Sequence, residues 1–314
     1  MSFSPEALER LSLLEEKFAA MGQDLVSYLD GLLYANFTTY WDYINLDTLL
    51  SLQATKTDFP DEKIFVVYHQ ITELYFNLCL HELEQIQAQE KPSAQFIIDR
   101  VKRINQYFEA LIRSFGVMVM GMEREQFLKF RMSLLPASGF QSAQYRKIEI
   151  CSTDFKNLLV KEKRGMPEFD ETGTEDLFDH IYWKTGATEL ATGKKTLTLR
   201  QFEEKYSAEL IELAKYSRNN NLWTKYNIAA KTADEEKELL HQLRELDLNV
   251  NVRWPMQHMK SAARYLDKKP EAIAATGGTN WQKYLPPRFQ LRIFYPSLWS
   301  AEELENWGRT GMED

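Results

Sequence analysis

A helical stretch at residues 65–76 decides the fold, and it reads Phe65-Val66-Val67-Tyr68-His69-Gln70-Ile71-Thr72-Glu73-Leu74-Tyr75-Phe76. Side chains four residues apart on a helix project side by side, so Phe65 and His69 would place an apolar ring next to an imidazole. Such a pair suits a flat aromatic ligand that carries one polar N–H group. A histidine satisfied inside a helical core is the alternative that this stretch alone leaves open.

The same helical spacing recurs along most of the chain. Apolar residues three and four apart predict helices near 61–89, 93–120, 124–135, 139–161, 200–216 and 234–267. Glycines at 165, 173, 186 and 193 predict a loop-rich excursion over about 163–199, with a short helix around Asp176 to Trp183. The sequence therefore predicts an all-α fold, as a single helical domain over residues 1–314 with a bundle-like core.

Composition argues against several classes of partner. The chain has 38 Lys and Arg against 46 Asp and Glu, a formal charge of −8, and no basic run that could follow a phosphate backbone. We expect no nucleic-acid partner. Neither a secretory signal nor an apolar run of the ~20 residues needed to span a bilayer is present, so we expect a cytoplasmic protein with no membrane partner. With 5 His and 2 Cys, any metal should be held by very few protein ligands.

An arginine follows two phenylalanines in the stretch Phe127-Leu128-Lys129-Phe130-Arg131. In a partly dry pocket its planar fork could form a bidentate pair with a ligand carboxylate. The alternative is an arginine that extends from an apolar helix face into water. Ser138-Gly139 follows, a junction that would expose backbone N–H groups and let a ligand approach closely.

A second histidine lies in the stretch Arg253-Trp254-Pro255-Met256-Gln257-His258-Met259. A neutral imidazole on a helix is a common axial ligand of haem iron and leaves the opposite face open to oxygen. By itself, His258 could equally be a packing residue. Beyond it, Ala275-Thr276-Gly277-Gly278-Thr279 predicts a segment that closes over a ligand and offers it a threonine hydroxyl.

Taken together, these stretches resemble the tryptophan 2,3-dioxygenase family of haem enzymes. The matching residues occur in one order along the chain: Tyr40-Trp41-Asp42-Tyr43 with Leu46-Asp47, His69-Gln70 with Glu73-Leu74, Phe130-Arg131, Ser138-Gly139-Phe140-Gln141-Ser142, His258, and Thr276-Gly277-Gly278. The Ser-Gly-Phe-Gln-Ser segment is the most specific of them. The chain departs from the family in having Tyr75 and Pro255 where tryptophan and arginine are usual, and in a longer spacing between His258 and Thr276.

The resemblance implies a role for each matching residue. The cofactor would be haem b, with His258 as the proximal iron ligand and Phe127, Ser138 and Gly139 on the cofactor side. His69 would be the catalytic distal histidine that contacts the indole N–H, and Phe65 would pack on the indole. Arg131 would hold the substrate carboxylate and Thr276 the ammonium group. Family members are homotetramers, in which the segment corresponding to Tyr40, Tyr43 and Ile44 completes a neighbour's pocket.

The implied reaction is insertion of O2 across the indole C2–C3 bond of L-tryptophan to give N-formylkynurenine, the first step of tryptophan catabolism by the kynurenine route. Two alternatives remain open. One is a divergent haem oxygenase that acts on another indole or a tryptophan derivative. The other is a non-catalytic haem-binding helical protein, whose histidines and arginine are ordinary structural residues.

Overall fold

Helices account for nearly all regular structure in this computed structural model, which describes residues 3–134, 141–164, 173–187, 194–265 and 286–309. Within those ranges no β-strand forms, and one isolated bridge pairs Leu159 with Ile181. The all-α prediction is confirmed. The chain divides into two compact units, Met1–Ala54 and Thr55–Asp314. The prediction of a single domain over residues 1–314 stays a prediction.

The first unit contains four short helices. They are α1 (Pro5–Ala20), α2 (Leu25–Tyr34), α3 (Tyr40–Tyr43) and α4 (Leu46–Ser51). As the Ser-Pro pair indicates, Ser4 is the N-cap of α1, and its hydroxyl accepts a hydrogen bond from the Ala7 amide at 3.2 Å. None of these helices has a buried residue. This unit therefore exposes many large apolar side chains, a feature that commonly marks a protein interface.

The second unit carries the remaining helices. They are α5 (Asp61–Ala88), α6 (Ala94–Ser114), α7 (Gly116–Met120), α8 (Arg124–Phe130), α9 (Ala143–Ser152), α10 (Thr174–Phe178), α11 (Tyr182–Gly186), α12 (Leu197–Ser217), α13 (Leu222–Ile228), α14 (Ala233–Leu248), α15 (Trp254–Tyr265), α16 (Pro287–Gln290) and α17 (Ala301–Glu305). Short 3₁₀ turns form at Arg131–Leu134, Phe155–Leu158, Lys161–Lys163 and Pro296–Leu298, and a π-helical turn at Asn249–Arg253 joins α14 to α15.

The 28-residue helix α5 is central to this unit. It packs along α6 and α9 and also contacts α7, α8 and α13, while α14 packs on α6 and α12 on α9. Its buried face includes Tyr68, Phe76, Leu83 and Ile86. Each fully buried side chain of this size contributes roughly 1.5–3 kcal/mol. This packing fixes the position of α5, on which Phe65 and His69 lie.

Several predicted helices end earlier than their apolar pattern indicates. The helix expected at 139–161 is Ala143–Ser152, because Ser142 caps its start and Thr153 has an extended conformation. The Thr153 hydroxyl instead donates to the Phe294 carbonyl, a contact 141 residues away that a local pattern cannot reveal. The helix expected at 93–120 breaks at Phe115, and the one expected at 124–135 becomes a 3₁₀ turn from Arg131.

The C-terminal segment is anchored to the end of α14 by one buried carboxylate. Asp247 is fully buried and accepts four hydrogen bonds, from Asn251 Nδ2 at 2.7 Å, the Phe294 amide at 2.9 Å, Trp299 Nε1 at 3.0 Å and the Tyr295 amide at 3.1 Å. Burial raises the pKa of Asp247, and these donors oppose that rise. The anchor ties residues 294–299 to the turn that precedes α15.

Both cysteines, Cys79 and Cys151, are buried and free, as the sequence indicates. Burial raises the pKa of each thiol, to about 12 for Cys151, so both remain protonated and inert. No helix in the described part of the chain combines the length and apolar character needed to cross a bilayer.

Candidate active site

His69 and Phe65 face the same side of α5, as their spacing predicts. Their ring centroids are 4.0 Å apart, with the planes tilted by 33°. His69 Nδ1 lies 2.7 Å from the Phe65 carbonyl oxygen. A carbonyl oxygen can only accept, so Nδ1 carries the proton and Nε2 carries the lone pair. Burial lowers the pKa of His69, against the opposing effects of this hydrogen bond and of Glu73. The imidazole is therefore neutral at pH 7.

The start of α8 is fastened to the start of α5. Asp61 Oδ2 accepts a hydrogen bond from the Glu123 amide at 2.6 Å, and the Asp61 amide donates to Gln126 Oε1 at 3.2 Å. These bonds hold α8 where its aromatic side chains meet Phe65. Phe130 lies 5.8 Å from Phe65, ring centroid to centroid.

Phe127 completes an aromatic wall beside Phe65. Its ring centroid lies 6.4 Å from Phe65, 5.5 Å from Phe130 and 4.7 Å from Tyr265. The geometry is tilted or edge-to-face, as is usual for packed aromatic rings. Tyr265 is held in turn by hydrogen bonds from its hydroxyl to the Val119 and Met122 carbonyls. The wall therefore joins α5, α8 and α15.

Arg131 follows Phe130 at the end of α8 and is only 5% exposed. Burial lowers the pKa of its guanidinium, but an arginine remains a cation under all ordinary conditions. A buried cation interacts strongly with a carboxylate, because little water screens the pair. This burial contradicts the alternative in which Arg131 extends into water.

His258 lies one turn into α15, beside two aromatic rings. The centroid of its ring is 4.7 Å from that of Trp254 and 4.8 Å from that of Phe115. Its Nδ1 is 3.2 Å from the Trp254 carbonyl oxygen, so Nδ1 again carries the proton. Burial, helped by the nearby His69 imidazole, lowers the pKa of His258 to about 4, against the opposing effect of the bond to the Trp254 carbonyl. His258 is thus a neutral imidazole whose Nε2 lone pair can bind a metal.

These features fit a haem held by one protein ligand. A neutral imidazole with Nδ1–H held by a carbonyl is the form that binds iron through Nε2. The surrounding aromatic side chains suit a flat, apolar macrocycle. Within the described ranges, no three His, Cys, Asp or Glu side chains form a metal-binding group.

Five residues from the stretches singled out in the sequence lie close together in the structure: Phe65, His69, Phe127, Phe130 and His258. Ser138, Gly139 and Thr276 lie outside the described residues. Tyr40, Tyr43 and Ile44 belong to the first unit, where Tyr40 and Tyr43 are more than 70% exposed.

Sequence reasoning missed Phe115, Trp254 and Tyr265 as parts of the site. Trp254 could have been found, because it precedes His258 by four residues, the spacing of Phe65 and His69. No local signal identifies Phe115 or Tyr265, since their partners are on other helices.

The fold and site define an all-helical protein in which two neutral imidazoles lie among aromatic side chains and the buried Arg131 follows Phe130 of the aromatic wall. A family profile described as Tryptophan 2,3-dioxygenase matches residues 33–237. That match covers more than half of the chain, which therefore belongs to the tryptophan 2,3-dioxygenase family.

Several named proteins are similar in sequence to this chain over most of its length. A tryptophan 2,3-dioxygenase of Bacillus thuringiensis (strain Al Hakam) is 30% identical over 272 residues, which is 84% of this chain and 91% of that protein. One of Ruegeria sp. (strain TM1040) is 27% identical over 278 residues, covering 85% and 92% respectively. One of Exiguobacterium sibiricum is 29% identical over 273 residues, covering 84% and 91%.

Proposed function

We propose that this chain is a haem-dependent dioxygenase that inserts both atoms of O2 across the indole C2–C3 bond of L-tryptophan. The product is N-formylkynurenine, and the reaction opens tryptophan catabolism by the kynurenine route. Family membership supports the class of reaction. The observation that carries the assignment to residues is the pairing of His69 and His258, two neighbouring neutral imidazoles with the same tautomer.

His258 is the residue that would hold the haem iron. Its Nε2 carries the lone pair, and the Trp254 carbonyl prevents the ring from turning that atom away. Phe127 would pack near the cofactor, and Ser138 and Gly139 would contribute on the same side. When bound, ferrous haem supplies the site at which dioxygen is activated.

His69 and Phe65 would bind the indole. The lone pair on His69 Nε2 can accept the indole N–H, because Nδ1 already donates to the Phe65 carbonyl. The Phe65 ring, 4.0 Å from the imidazole, offers an apolar surface to the flat substrate. Burial lowers the pKa of His69, which favours the neutral, accepting form at pH 7.

The amino-acid end of the substrate requires two more groups. Arg131 is a buried cation one residue beyond the aromatic wall, and would pair with the carboxylate. Thr276 would contact the ammonium group. These contacts hold the indole in one orientation, and the aromatic side chains exclude water from it.

We also propose a homotetramer in which Tyr40, Tyr43 and Ile44 complete the pocket of a neighbouring chain. The exposed apolar side chains of the first unit support this assembly, because so much apolar surface is unusual on a solitary protein. On α5, Ile71, Leu74 and Leu78 form a further exposed apolar row at helical spacing.

The test combines cofactor and substrate. Protein produced with a haem precursor should show a Soret band, and the ferrous form mixed with L-tryptophan and air should form N-formylkynurenine, followed by its near-ultraviolet absorption. His258→Ala should lose the Soret band, whereas Arg124→Ala, on exposed surface of α8, should retain both signals. A colourless wild-type protein would contradict the haem assignment. A product containing one added oxygen atom would favour a different oxygenase reaction.

A further inference from the structure

The π-helical turn at Asn249–Arg253 lies directly before the helix that carries His258. In it, the Trp254 amide donates to the Asn249 carbonyl, five residues back rather than four. A turn widened by one residue changes the angular position of everything after it by about 100°. The direction in which His258 points from α15 therefore depends on whether this turn keeps its π-helical geometry.

A proline limits the hydrogen bonding of this wide turn. Pro255 would be the next donor in the same series, to the Val250 carbonyl, but it has no N–H group. A proline also clashes with the carbonyl four residues back in a regular α-helix, and a wider turn relieves that clash. The Val250 carbonyl, fully buried, thus has to find a donor from elsewhere in the fold.

That donor is Tyr145 on α9. Its hydroxyl donates to the Val250 carbonyl oxygen at 2.8 Å. Arg292 Nη2 donates to the same Tyr145 oxygen at 3.1 Å and, through a longer bond of 3.5 Å, to the Val250 carbonyl oxygen. The phenolic ring itself is fixed by packing against Phe76 at 5.3 Å, so the hydroxyl is held in place.

The residues on either side of Val250 are also tied to other parts of the fold. Asn249 Nδ2 donates to Asn105 Oδ1 at 3.2 Å, and Asn251 Nδ2 donates to Asp247 Oδ1 at 2.7 Å. At Val250, by contrast, a side-chain hydroxyl takes the place of a missing backbone donor. This bond is therefore the one whose loss acts most directly on the geometry of the turn.

We propose that Tyr145 is a positioning residue for the axial ligand. Its hydroxyl supplies the hydrogen bond that Pro255 cannot donate to the Val250 carbonyl. This bond keeps the turn wide and directs His258 toward His69. Tyr145 acts through the backbone of the turn, at the Val250 carbonyl. The proposal rests on the proposed role of His258.

The decisive variant is Tyr145→Phe, which removes the hydroxyl and leaves the packed ring. Its matched control is Tyr295→Phe, because Tyr295 is equally buried and its hydroxyl donates to another backbone carbonyl, that of Ser152, at 3.1 Å. In ferrous haem-loaded protein, we expect Tyr145→Phe to shift or broaden the iron–histidine stretching band in resonance Raman spectra. Haem affinity should fall about two- to tenfold, the effect of one neutral hydrogen bond. Tyr295→Phe should leave the band in place.

A second measurement does not require haem. In protein labelled with ¹⁵N-histidine, the ring nitrogen shifts of His258 report its tautomer and its bond to the Trp254 carbonyl. Tyr145→Phe should move them and Tyr295→Phe should not. The inference is overturned if both variants move these signals alike, or if neither does. A wild-type protein without a Soret band would refute the proposed function, and these nitrogen shifts would still decide the role of Tyr145.

Pro255→Ala provides an independent variant if Tyr145→Phe does not fold. It restores an N–H group that can compete for the Val250 carbonyl, so it should also move the His258 ring signals. Where both variants fold, the tyrosine substitution should cost less haem affinity in the Pro255→Ala background than alone, because the carbonyl then has another donor. Strictly additive effects would contradict the mechanism.

Discussion

Two side chains on different helices, His69 and His258, share one local arrangement. In each, Nδ1–H is held by the carbonyl of the residue four positions earlier, an aromatic residue whose ring lies against the imidazole. The motif fixes both the tautomer and the direction of Nε2 without using another charged group. Burial then keeps both rings neutral. Two neighbouring neutral imidazoles suit metal binding at one ring and hydrogen-bond acceptance at the other.

Arg131 provides the clearest test of substrate orientation. Arg131→Ala should raise the KM for L-tryptophan about 10²-fold, because a charge-assisted pair in a buried site contributes roughly 2–4 kcal/mol. Arg131→Lys should recover part of this loss, since it keeps the charge but not the planar fork. The Soret band should be unchanged in both. Steady-state kinetics with haem-loaded protein measure the effect, and an unaltered KM in Arg131→Ala would refute the assigned role.

The start of α5 depends on a buried carboxylate that closes the preceding loop. Glu62 is 1% exposed and accepts hydrogen bonds from the Lys56 amide at 2.7 Å, the Thr57 amide at 2.8 Å and the Thr57 hydroxyl. Burial alone would raise its pKa, but the bonds from Thr57 and Lys56 outweigh burial, and the pKa is lowered from 4.5. The charged form of Glu62 therefore stabilises the helix on which Phe65 and His69 lie.

This carboxylate predicts a pH-dependent contribution to stability. With the folded pKa below the unfolded value of 4.5, the stabilisation is fully present above about pH 4.5 and is lost as pH falls through the folded pKa. Glu62→Gln should lower the free energy of unfolding by about 1.5–3 kcal/mol at pH 7, and by less at low pH. Urea unfolding at several pH values measures the difference.

Glu235→Gln is the comparison variant for this experiment. Glu235 closes an exposed capping box with Thr232 at the start of α14, where glutamine can make the same bonds. Its effect on the free energy of unfolding should be small at every pH. Equal and pH-independent losses in the two variants would contradict the role given to Glu62.

Local patterns predicted α5 and its Phe65–His69 pair correctly, because both depend only on helical spacing. The wide turn before His258 was not predicted, and the continuous helix expected over 234–267 is wrong there. The apolar pattern continues through that turn, and bonds that keep it wide come from Tyr145 and Asn105, on other helices. Contacts between residues more than 100 positions apart leave no trace in a local window. For residues whose spacing alone left alternatives open, the resemblance to the family predicted the roles.

The proposed homotetramer predicts that each pocket contains residues of two chains. Tyr40, Tyr43 and Ile44 lie in the first unit, and Arg131 lies in the second. If one chain's first unit completes another chain's pocket, each pocket contains residues of two chains. Defects on different chains should then complement each other.

Mixed assemblies test this arrangement. Homo-oligomers of Tyr43→Ala and of Arg131→Ala should each have poor activity with L-tryptophan. Co-expressed chains should regain activity, because some pockets then combine an intact Tyr43 with an intact Arg131. Light scattering should give four chain masses for all three preparations. Mixed assemblies as inactive as the two parents would contradict a pocket shared between chains.

The Asp247 anchor has a consequence for biosynthesis. Three of its four donors belong to residues 294–299, and the turn before α15 also depends on Arg292 through Tyr145. While a ribosome still covers those residues, α14 ends in a buried carboxylate without most of its partners, and α15 has no fixed direction. We therefore expect the nascent chain to acquire haem only after residues 292–299 have emerged from the exit tunnel.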